Sequence, residues 1–321
     1  MALTYPKYTG PIPLIDMGPL RDGSGAAAVG KALHQASQEV GFIYVTNHGI
    51  PDDLIKRAHA SALAFFRQPE EVKDLVAISK SHRGWLRMGG AVMGDGMPYD
   101  LKESFLWGTE DSAGNTPTDH PLRGANMWPD GIAHFRDVSK TYFDQAHLVA
   151  YDLMRGFALG LGLEEGFFLS SAAKPLSRAS YVYYPSQSAL PQDGQYGAGP
   201  HTDFGVLTVL YQDSIGGLQV QDLAGGWIDA PPMDGTLVIN VGDLLERWTG
   251  GAYRSTPHRV INESGQERLS LVLAYDPGPD TVIDAHQILG TTAVTVEDPI
   301  SCGDYLIRRF ERAFAYRRTQ Q

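Results

Sequence analysis

The pattern of apolar and polar residues differs between the two halves of the chain. In the first half, apolar residues recur at every third or fourth position, the spacing of an amphipathic helix. This pattern predicts one helix capped by Ser24, a second helix that begins at Pro51, and a long helix over Phe135–Phe157. Between the first two helices, Phe42–Thr46 is rich in β-branched and aromatic residues and predicts a strand.

Beyond residue 177 the pattern changes to short strands separated by turns. The predicted strands are Ser180–Tyr184, Val206–Gln212, Gly217–Val220, Thr236–Val241, Arg259–Ile261 and Leu269–Tyr275. Strands this short and this closely spaced favour a sandwich or barrel over a parallel α/β sheet. Residues 303–316 return to a helical pattern. The predicted fold class is therefore mainly β with flanking helices, that is, α+β.

Two segments lack a clear pattern. Gly84–Pro129 is rich in glycine, proline, aspartate and methionine, so it is predicted to be irregular, and long irregular segments are commonly functional. Asp243–Arg247 pairs opposite charges and is predicted to be a surface turn.

Composition excludes several classes of protein. The 321 residues carry 26 Lys+Arg and 37 Asp+Glu, a net charge of −11, which gives no general attraction to nucleic acid or to anionic lipid. The only cysteine, Cys302, has no partner for a disulfide within the chain. The N-terminal residues lack the apolar segment of a signal peptide, and no apolar run approaches 18 residues. We therefore expect a cytoplasmic protein that binds neither nucleic acid nor membrane.

Candidate metal ligands lie around one predicted strand. His201 and Asp203 precede Val206–Gln212, and alternation along an extended segment places both side chains on the same face. His258 begins another strand and can supply a third ligand. Two histidines and one carboxylate leave coordination positions open, the arrangement of non-haem iron(II) oxygenases.

The His-x-Asp pair by itself is weak support. With 10 histidines and 37 acids, composition alone predicts about one such pair in the chain. Order and spacing add weight, because His258 follows Asp203 by 55 residues and precedes Arg268 by 10.

With these residues in order, the chain resembles the iron(II)- and 2-oxoglutarate-dependent oxygenases of the isopenicillin N synthase-like superfamily over nearly its whole length. The matching stretches are Gly41–Ile50, Asp100–Phe105, Tyr183–Pro185, His201–Gly205, Gly216–Val220, Asn240–Asp243, Ser255–Val260 and Arg268–Ser270. The resemblance implies a distorted double-stranded β-helix (a jelly roll) after a helical and mixed N-terminal region. We place the N-terminal dioxygenase-type region at residues 1–120. The jelly-roll core, with its long helix and C-terminal helix, then covers residues 121–321.

The resemblance also implies the roles of the site residues. His201, Asp203 and His258 would bind iron(II). Arg268 and Ser270 would hold the distal carboxylate of 2-oxoglutarate, and Tyr184 is a further candidate contact. A guanidinium is a good bidentate partner for a carboxylate, and a hydroxyl two residues along a strand points the same way. With O2, 2-oxoglutarate would yield succinate and CO2 while a small-molecule substrate is oxidised, most simply hydroxylated.

Three residues are candidate substrate contacts. The resemblance places Phe204 beside the substrate and Arg83 near the mouth of the pocket. Many relatives carry an aromatic residue six positions after the arginine, where this chain has Ala274, which implies a wider pocket. The general pattern is similar to microbial thymine dioxygenases, without predicting a pyrimidine substrate.

Two alternatives remain open at this stage. Oxidases of the isopenicillin N synthase and aminocyclopropanecarboxylate oxidase type use the same triad without 2-oxoglutarate, and they also carry the Arg-x-Ser motif. A more remote alternative is a small-molecule receptor built on a jelly roll without enzymatic activity. The sequence predicts neither the substrate nor the oligomeric state.

Overall fold

The computed structural model describes residues 10–90, 98–110, 114–116, 118–170, 174–186, 195–290 and 297–317. The strands in this part of the chain are β1 (Leu14–Asp16), β2 (Phe42–Thr46), β3 (Gly84–Leu86), β4 (Glu103–Gly108), β5 (Arg178–Tyr184), β6 (Ala198–His201), β7 (Leu207–Gln212), β8 (Leu218–Gln221), β9 (Trp227–Asp229), β10 (Leu237–Val241), β11 (His258–Val260), β12 (Arg268–Tyr275), β13 (Val282–Ile283) and β14 (Ile300–Ser301). The helices are α1 (Gly18–Arg21), α2 (Ala26–Glu39), α3 (Asp52–Phe66), α4 (Glu70–Lys73), α5 (Phe135–Gly160), α6 (Asp243–Trp248), α7 (His286–Leu289) and α8 (Cys302–Ala313).

The strands form two main sheets. The larger sheet has eight strands in the order β1-β2-β10-β7-β12-β5-β4-β3, and the smaller sheet has four in the order β6-β11-β8-β9. All neighbouring pairs in these two sheets are antiparallel except β1 with β2. The predicted fold class, a jelly roll with flanking helices, is confirmed.

Strands from the first 120 residues complete the larger sheet at both ends. At one end β2 pairs with β10, with Ile43 opposite Ile239. At the other end β4 pairs with β5, with Phe105 opposite Tyr181. The N-terminal region and the jelly-roll core therefore share one sheet.

The helices α2, α3 and α5 cover the larger sheet. The apolar side of α5 is buried, and the Tyr142 hydroxyl in this helix donates a hydrogen bond to the Leu271 carbonyl of β12 (3.3 Å). The α3 residues Phe65 and Phe66 pack against Phe105 of β4 and Tyr183 of β5. No helix in the described ranges is long and apolar enough to cross a membrane.

Most predicted elements are present, and three expectations were wrong. The segment Gly84–Pro129 contains strands β3 and β4. Asp243–Arg247 lies in helix α6, which buries Leu244 and Leu245 and is therefore not a plain surface turn. Helix α2 begins after Gly25 without a side-chain cap, and the Ser24 backbone N–H is held by the Asp22 carboxylate instead.

Candidate active site

The structure brings the three predicted metal ligands together. One ligand atom from each of His201, Asp203 and His258 lies within 4.8 Å of the other two. The Oδ1 atom of Asp203 is 3.9 Å from Nε2 of His201 and 3.8 Å from Nε2 of His258. Among the described residues this is the one group of three such side chains close enough to hold a metal ion.

Backbone pairing places and orients the two imidazoles. His201 ends β6 and His258 begins β11, and the two residues are direct partners in the antiparallel pair. Nδ1 of His201 contacts the Gly199 carbonyl (2.7 Å), and Nδ1 of His258 contacts the Thr256 carbonyl (3.2 Å). A carbonyl at Nδ1 selects the tautomer with the proton there. Both Nε2 atoms are thereby left as acceptors for a metal.

Two side-chain hydrogen bonds orient the carboxylate of Asp203. Its Oδ2 accepts hydrogen bonds from the Thr208 hydroxyl (2.5 Å) and the Asn240 amide (2.8 Å), which leaves Oδ1 facing the imidazoles. Burial alone would raise the pKa of Asp203, but the two imidazoles and these hydrogen bonds lower it to about 2. Burial is also the main cause that lowers the pKa of His201 to about 4. The group thus offers one nitrogen from each imidazole and one carboxylate oxygen, a donor set that suits iron(II).

Arg268 lies at one end of the cavity beside this triad. The residue is only 1% exposed. Its Nε donates to the Gly216 carbonyl (2.6 Å), and Nη1 donates to the Ser270 hydroxyl (2.8 Å). The remaining nitrogen, Nη2, is buried and has no hydrogen-bond partner among the described residues. A buried guanidinium nitrogen without a partner is costly, and a ligand carboxylate would satisfy it.

Ser270 and Tyr184 lie next to Arg268. The guanidinium carbon of Arg268 is 4.7 Å from the centre of the Tyr184 ring, because the two residues are direct partners across β12 and β5. Ser270 follows on the same face of β12, and all three residues line the cavity. The residues present therefore fit a bound dicarboxylic 2-oxo acid next to a metal.

Two of the three candidate substrate residues line the cavity. Phe204 and Ala274 are part of its wall, and the cavity has a volume of about 230 Å³. Arg83 is not in the wall: its guanidinium donates to backbone carbonyls, among them that of Leu122 (3.1 Å). The neighbouring His82 lines the cavity instead.

Sequence reasoning missed several residues of the site. Thr208 and Asn240 orient Asp203, and Lys102 lines the cavity with its ammonium 2.9 Å from Asp100. Alternation was an available signal for Thr208, because it lies near the start of β7 and faces the ligand side. The stretches that hold Asn240 and Lys102 matched the family, but pattern alone gave them no role.

Comparison with known proteins identifies the family. Residues 12–131 match the family described as the N-terminal region of non-haem dioxygenase in morphine synthesis, and residues 174–277 match the 2OG-Fe(II) oxygenase superfamily. A homoarginine-6-hydroxylase of Glycine max is 33% identical, with 85% of this chain and 87% of the relative aligned. Validamycin A dioxygenase of Streptomyces hygroscopicus subsp. limoneus is also 33% identical, with 85% and 78% aligned.

Solved structures lead to the same family. The crystal structure of a full-length Neurospora crassa protein in complex with alpha-KG and thymine aligns with a TM-score of 0.84 at 31% identity, covering 94% of this chain and 96% of that one. The chain belongs to the 2OG-Fe(II) oxygenase superfamily. It is an iron(II)- and 2-oxoglutarate-dependent oxygenase, and the sequence-based predictions of enzyme class, metal, cosubstrate and O2 are confirmed.

Proposed function

We propose that His201, Asp203 and His258 hold iron(II) and that the enzyme hydroxylates a small-molecule substrate. Arg268, Ser270 and Tyr184 bind 2-oxoglutarate in this proposal. When bound, the metal and its cosubstrate supply oxidising chemistry that consumes O2 and converts 2-oxoglutarate to succinate and CO2. The relatives named above, for homoarginine and validamycin A, and the thymine complex support a small molecule as the substrate.

The observation that carries this proposal is the incomplete hydrogen bonding of the buried Arg268 side chain. Its buried Nη2 has no partner among the described residues, whereas its other contacts hold the guanidinium in place beside Ser270. The guanidinium binds the distal carboxylate of 2-oxoglutarate in a fixed orientation. The Ser270 hydroxyl adds a hydrogen bond, and the Tyr184 ring covers the guanidinium face.

The other residues orient ligands and restrict water. The Gly199 and Thr256 carbonyls hold a proton on Nδ1 of each imidazole, which leaves Nε2 as the metal-binding atom, while Thr208 and Asn240 leave Oδ1 of Asp203 facing the imidazoles. Phe204 and Ala274 form part of the substrate wall. Arg83 lies behind the cavity wall, where its guanidinium donates to the Leu122 carbonyl.

Replacement of Arg268 tests the proposal. Loss of the partner of a largely desolvated carboxylate costs about 3–5 kcal/mol, or about two to four orders of magnitude in affinity. Arg268→Gln should therefore raise the 2-oxoglutarate requirement steeply while iron remains bound, since the metal ligands are unchanged. The readouts are calorimetric 2-oxoglutarate affinity, succinate formed per O2 consumed, and iron content.

Arg178→Gln is the matched control. Arg178 also lines the cavity, but it is far from Ser270 along the strands and pairs with Asp276, so its loss should leave 2-oxoglutarate affinity within about threefold of native. Equal losses in the two variants would contradict the assignment of Arg268. Product formation by native protein without 2-oxoglutarate would contradict the whole proposal and favour the oxidase alternative.

We also propose the division of the chain at residues 120 and 121 into a dioxygenase-type N-terminal region and a jelly-roll core. The cytoplasmic location and the absence of nucleic-acid and membrane partners remain predictions from composition.

A further inference from the structure

The cavity has a second cationic end that the iron and 2-oxoglutarate sites do not use. Arg268, Ser270, Val272 and Ala274 line it from one face of β12. At about 3.4 Å per residue, Ala274 is about 20 Å along the strand from Arg268. Its direct partner on β5 is Arg178, which also lines the cavity.

Arg178 is buried, but only some of its N–H groups take part in an ion pair or a hydrogen bond. Its side chain is 7% exposed, one Nη2–Oδ2 ion pair joins it to Asp276 (3.1 Å), and a long hydrogen bond from Nη1 reaches the Leu176 carbonyl (3.3 Å). The guanidinium carbon lies 4.7 Å from the centre of the Phe310 ring. Its remaining N–H groups have no hydrogen-bond partner in the part of the chain that the structure describes. A guanidinium with these few contacts has N–H groups left to donate hydrogen bonds to a ligand.

More positive charge lies behind this end of the cavity. The guanidinium of Arg83 lies against Gly108, the residue opposite Arg178 in the β4–β5 pair, and the Nε atoms of Arg83, Arg123 and Arg317 are buried without a hydrogen-bond partner among the described residues. Burial, with the nearby charges of Arg178 and Arg317, lowers the pKa of Arg83 to about 9. This end of the cavity therefore carries a positive potential that a bound anion would relieve.

Acidic groups balance that charge only in part, because Glu311, which attracts Arg317, is exposed. Asp276 is fully buried and is shared between Arg178 and the backbone N–H of Val206 (3.0 Å). Asp119, the partner of Arg123, is 54% exposed and is therefore screened by water. In the described part of this region there are thus four arginines and one buried carboxylate, that of Asp276. The arginines are Arg83, Arg123, Arg178 and Arg317.

Much of the remaining wall at this end is apolar, although Thr208 lies opposite Ala274. Phe310 and Phe314 of the C-terminal segment line it, together with Leu106 of β4. His82 stacks on Phe310 (ring centres 4.8 Å apart), and its buried ring has a pKa well below the ordinary value because of burial and the surrounding arginines. Ala274 leaves open the space that a larger side chain would fill. The wall therefore suits an apolar or aromatic group next to a charged one.

We infer that the substrate is a small organic anion, a carboxylic acid with an apolar or aromatic body, whose carboxylate is bound by Arg178 at the Ala274 end of the cavity. This inference rests on the proposed function, which assigns the opposite end to 2-oxoglutarate. A planar guanidinium is the side chain best matched to a carboxylate, and a buried one rejects a neutral analogue that lacks the charge.

Binding of matched acids and amides tests the inference. The probes are phenylacetate, 3-phenylpropanoate and hexanoate, each compared with its primary amide, on full-length protein loaded anaerobically with iron(II) and 2-oxoglutarate. Calorimetry should show at least one acid binding about 10- to 100-fold more tightly than its amide, the range for a hydrogen bond to a charged group. If no acid binds more tightly than its amide, the inference is overturned.

Three variants separate charge from packing. The double variant Arg178→Gln/Asp276→Asn removes both charges of the ion pair together and leaves no buried charge without its partner, so it should fold and lose the preference for acids. Arg178→Lys keeps the charge and should retain part of the preference. Arg57→Gln, at an exposed ion pair on α3, is the surface control and should retain all of it. A full preference for acids in the double variant would overturn the inference.

The same samples distinguish failure of this inference from failure of the proposed function. Iron content, 2-oxoglutarate affinity and succinate formation without substrate are measured in parallel on the native protein. If these are present while acids and amides bind equally, only the substrate class is wrong. If 2-oxoglutarate does not bind, the proposed function itself fails.

Discussion

At the residue scale, Ala274 controls the width of the substrate end of the cavity. It lies opposite Arg178 on β5 and Thr208 on β7, and all three residues line the cavity. Ala274→Phe would place a ring against the Arg178 guanidinium. The variant should therefore change which substrates stimulate succinate formation, with a larger effect on substrate affinity than on 2-oxoglutarate affinity.

The matched control is Ala60→Phe on the exposed side of α3, which should leave substrate selection unchanged. Overpacking a core position costs about 1–3 kcal/mol of unfolding free energy. If Ala274→Phe lowers stability by that amount and reduces substrate and 2-oxoglutarate binding equally, position 274 serves the core and not the pocket.

Sequence reasoning found the metal triad but misjudged which residue of the His82-Arg83 pair faces the cavity. The triad was predictable because alternation along an extended segment, together with ordered spacing, fixes which side chains converge. At His82 the backbone is left-handed (φ 62°), and Gly84 also has positive φ (111°). Alternation does not apply through such a turn, so the sequence alone could not indicate that the imidazole faces inward.

At the element scale, helix α5 contains a buried histidine that makes stability depend on pH. The ring of His147 packs against Phe143, Tyr151 and Tyr275, and its Nε2 has no hydrogen-bond partner among the described residues. Burial lowers its pKa from 6.5 to about 4. Because the unfolded chain binds this proton more readily, stability is lost as the pH falls from about 6.5 toward 4, by about 3 kcal/mol at most.

His147→Leu should remove that contribution. The unfolding free energy of this variant, measured in urea, should fall less from pH 7.5 to pH 4.5 than that of the native protein. His286→Gln, at a partly exposed position on α7, is the control and should keep the native difference. An identical fall in His147→Leu and native protein would contradict the prediction. His48, whose pKa is also lowered to about 4 mainly by burial, leaves part of the pH dependence in every variant.

Strand β4 explains why elements in the middle of the chain escaped prediction. Five of its six residues are buried, since β3 and β5 flank it and aromatic side chains cover it. A strand buried on both faces shows no alternation of apolar and polar residues. The fully buried strands β2 and β10 were still predicted because they are rich in β-branched residues, whereas β4 contains none. The strands with one polar face, such as β8, were predicted within one residue of their bounds.

At the scale of the whole molecule, the two regions of the chain depend on each other. Strands β2 and β4 pair with β10 and β5, and one apolar cluster contains residues of both regions, such as Phe65 and Leu271. Residues 121–321 expressed alone should therefore lack a cooperative unfolding transition, because two strands of the core lose a partner. Circular dichroism and limited proteolysis, with the full chain as the control, measure this. A fragment that unfolds cooperatively and binds iron would contradict it.

The central claim is that His201, Asp203 and His258 bind iron(II), and metal binding measures it most directly. Native protein, prepared anaerobically, should bind one iron(II) per chain by elemental analysis and equilibrium dialysis. His201→Ala, Asp203→Ala and His258→Ala should each lose most of that affinity, because each removes one of only three protein ligands. His286→Gln is the control and should bind iron as the native protein does. Tight iron binding that persists in all three alanine variants would contradict the account.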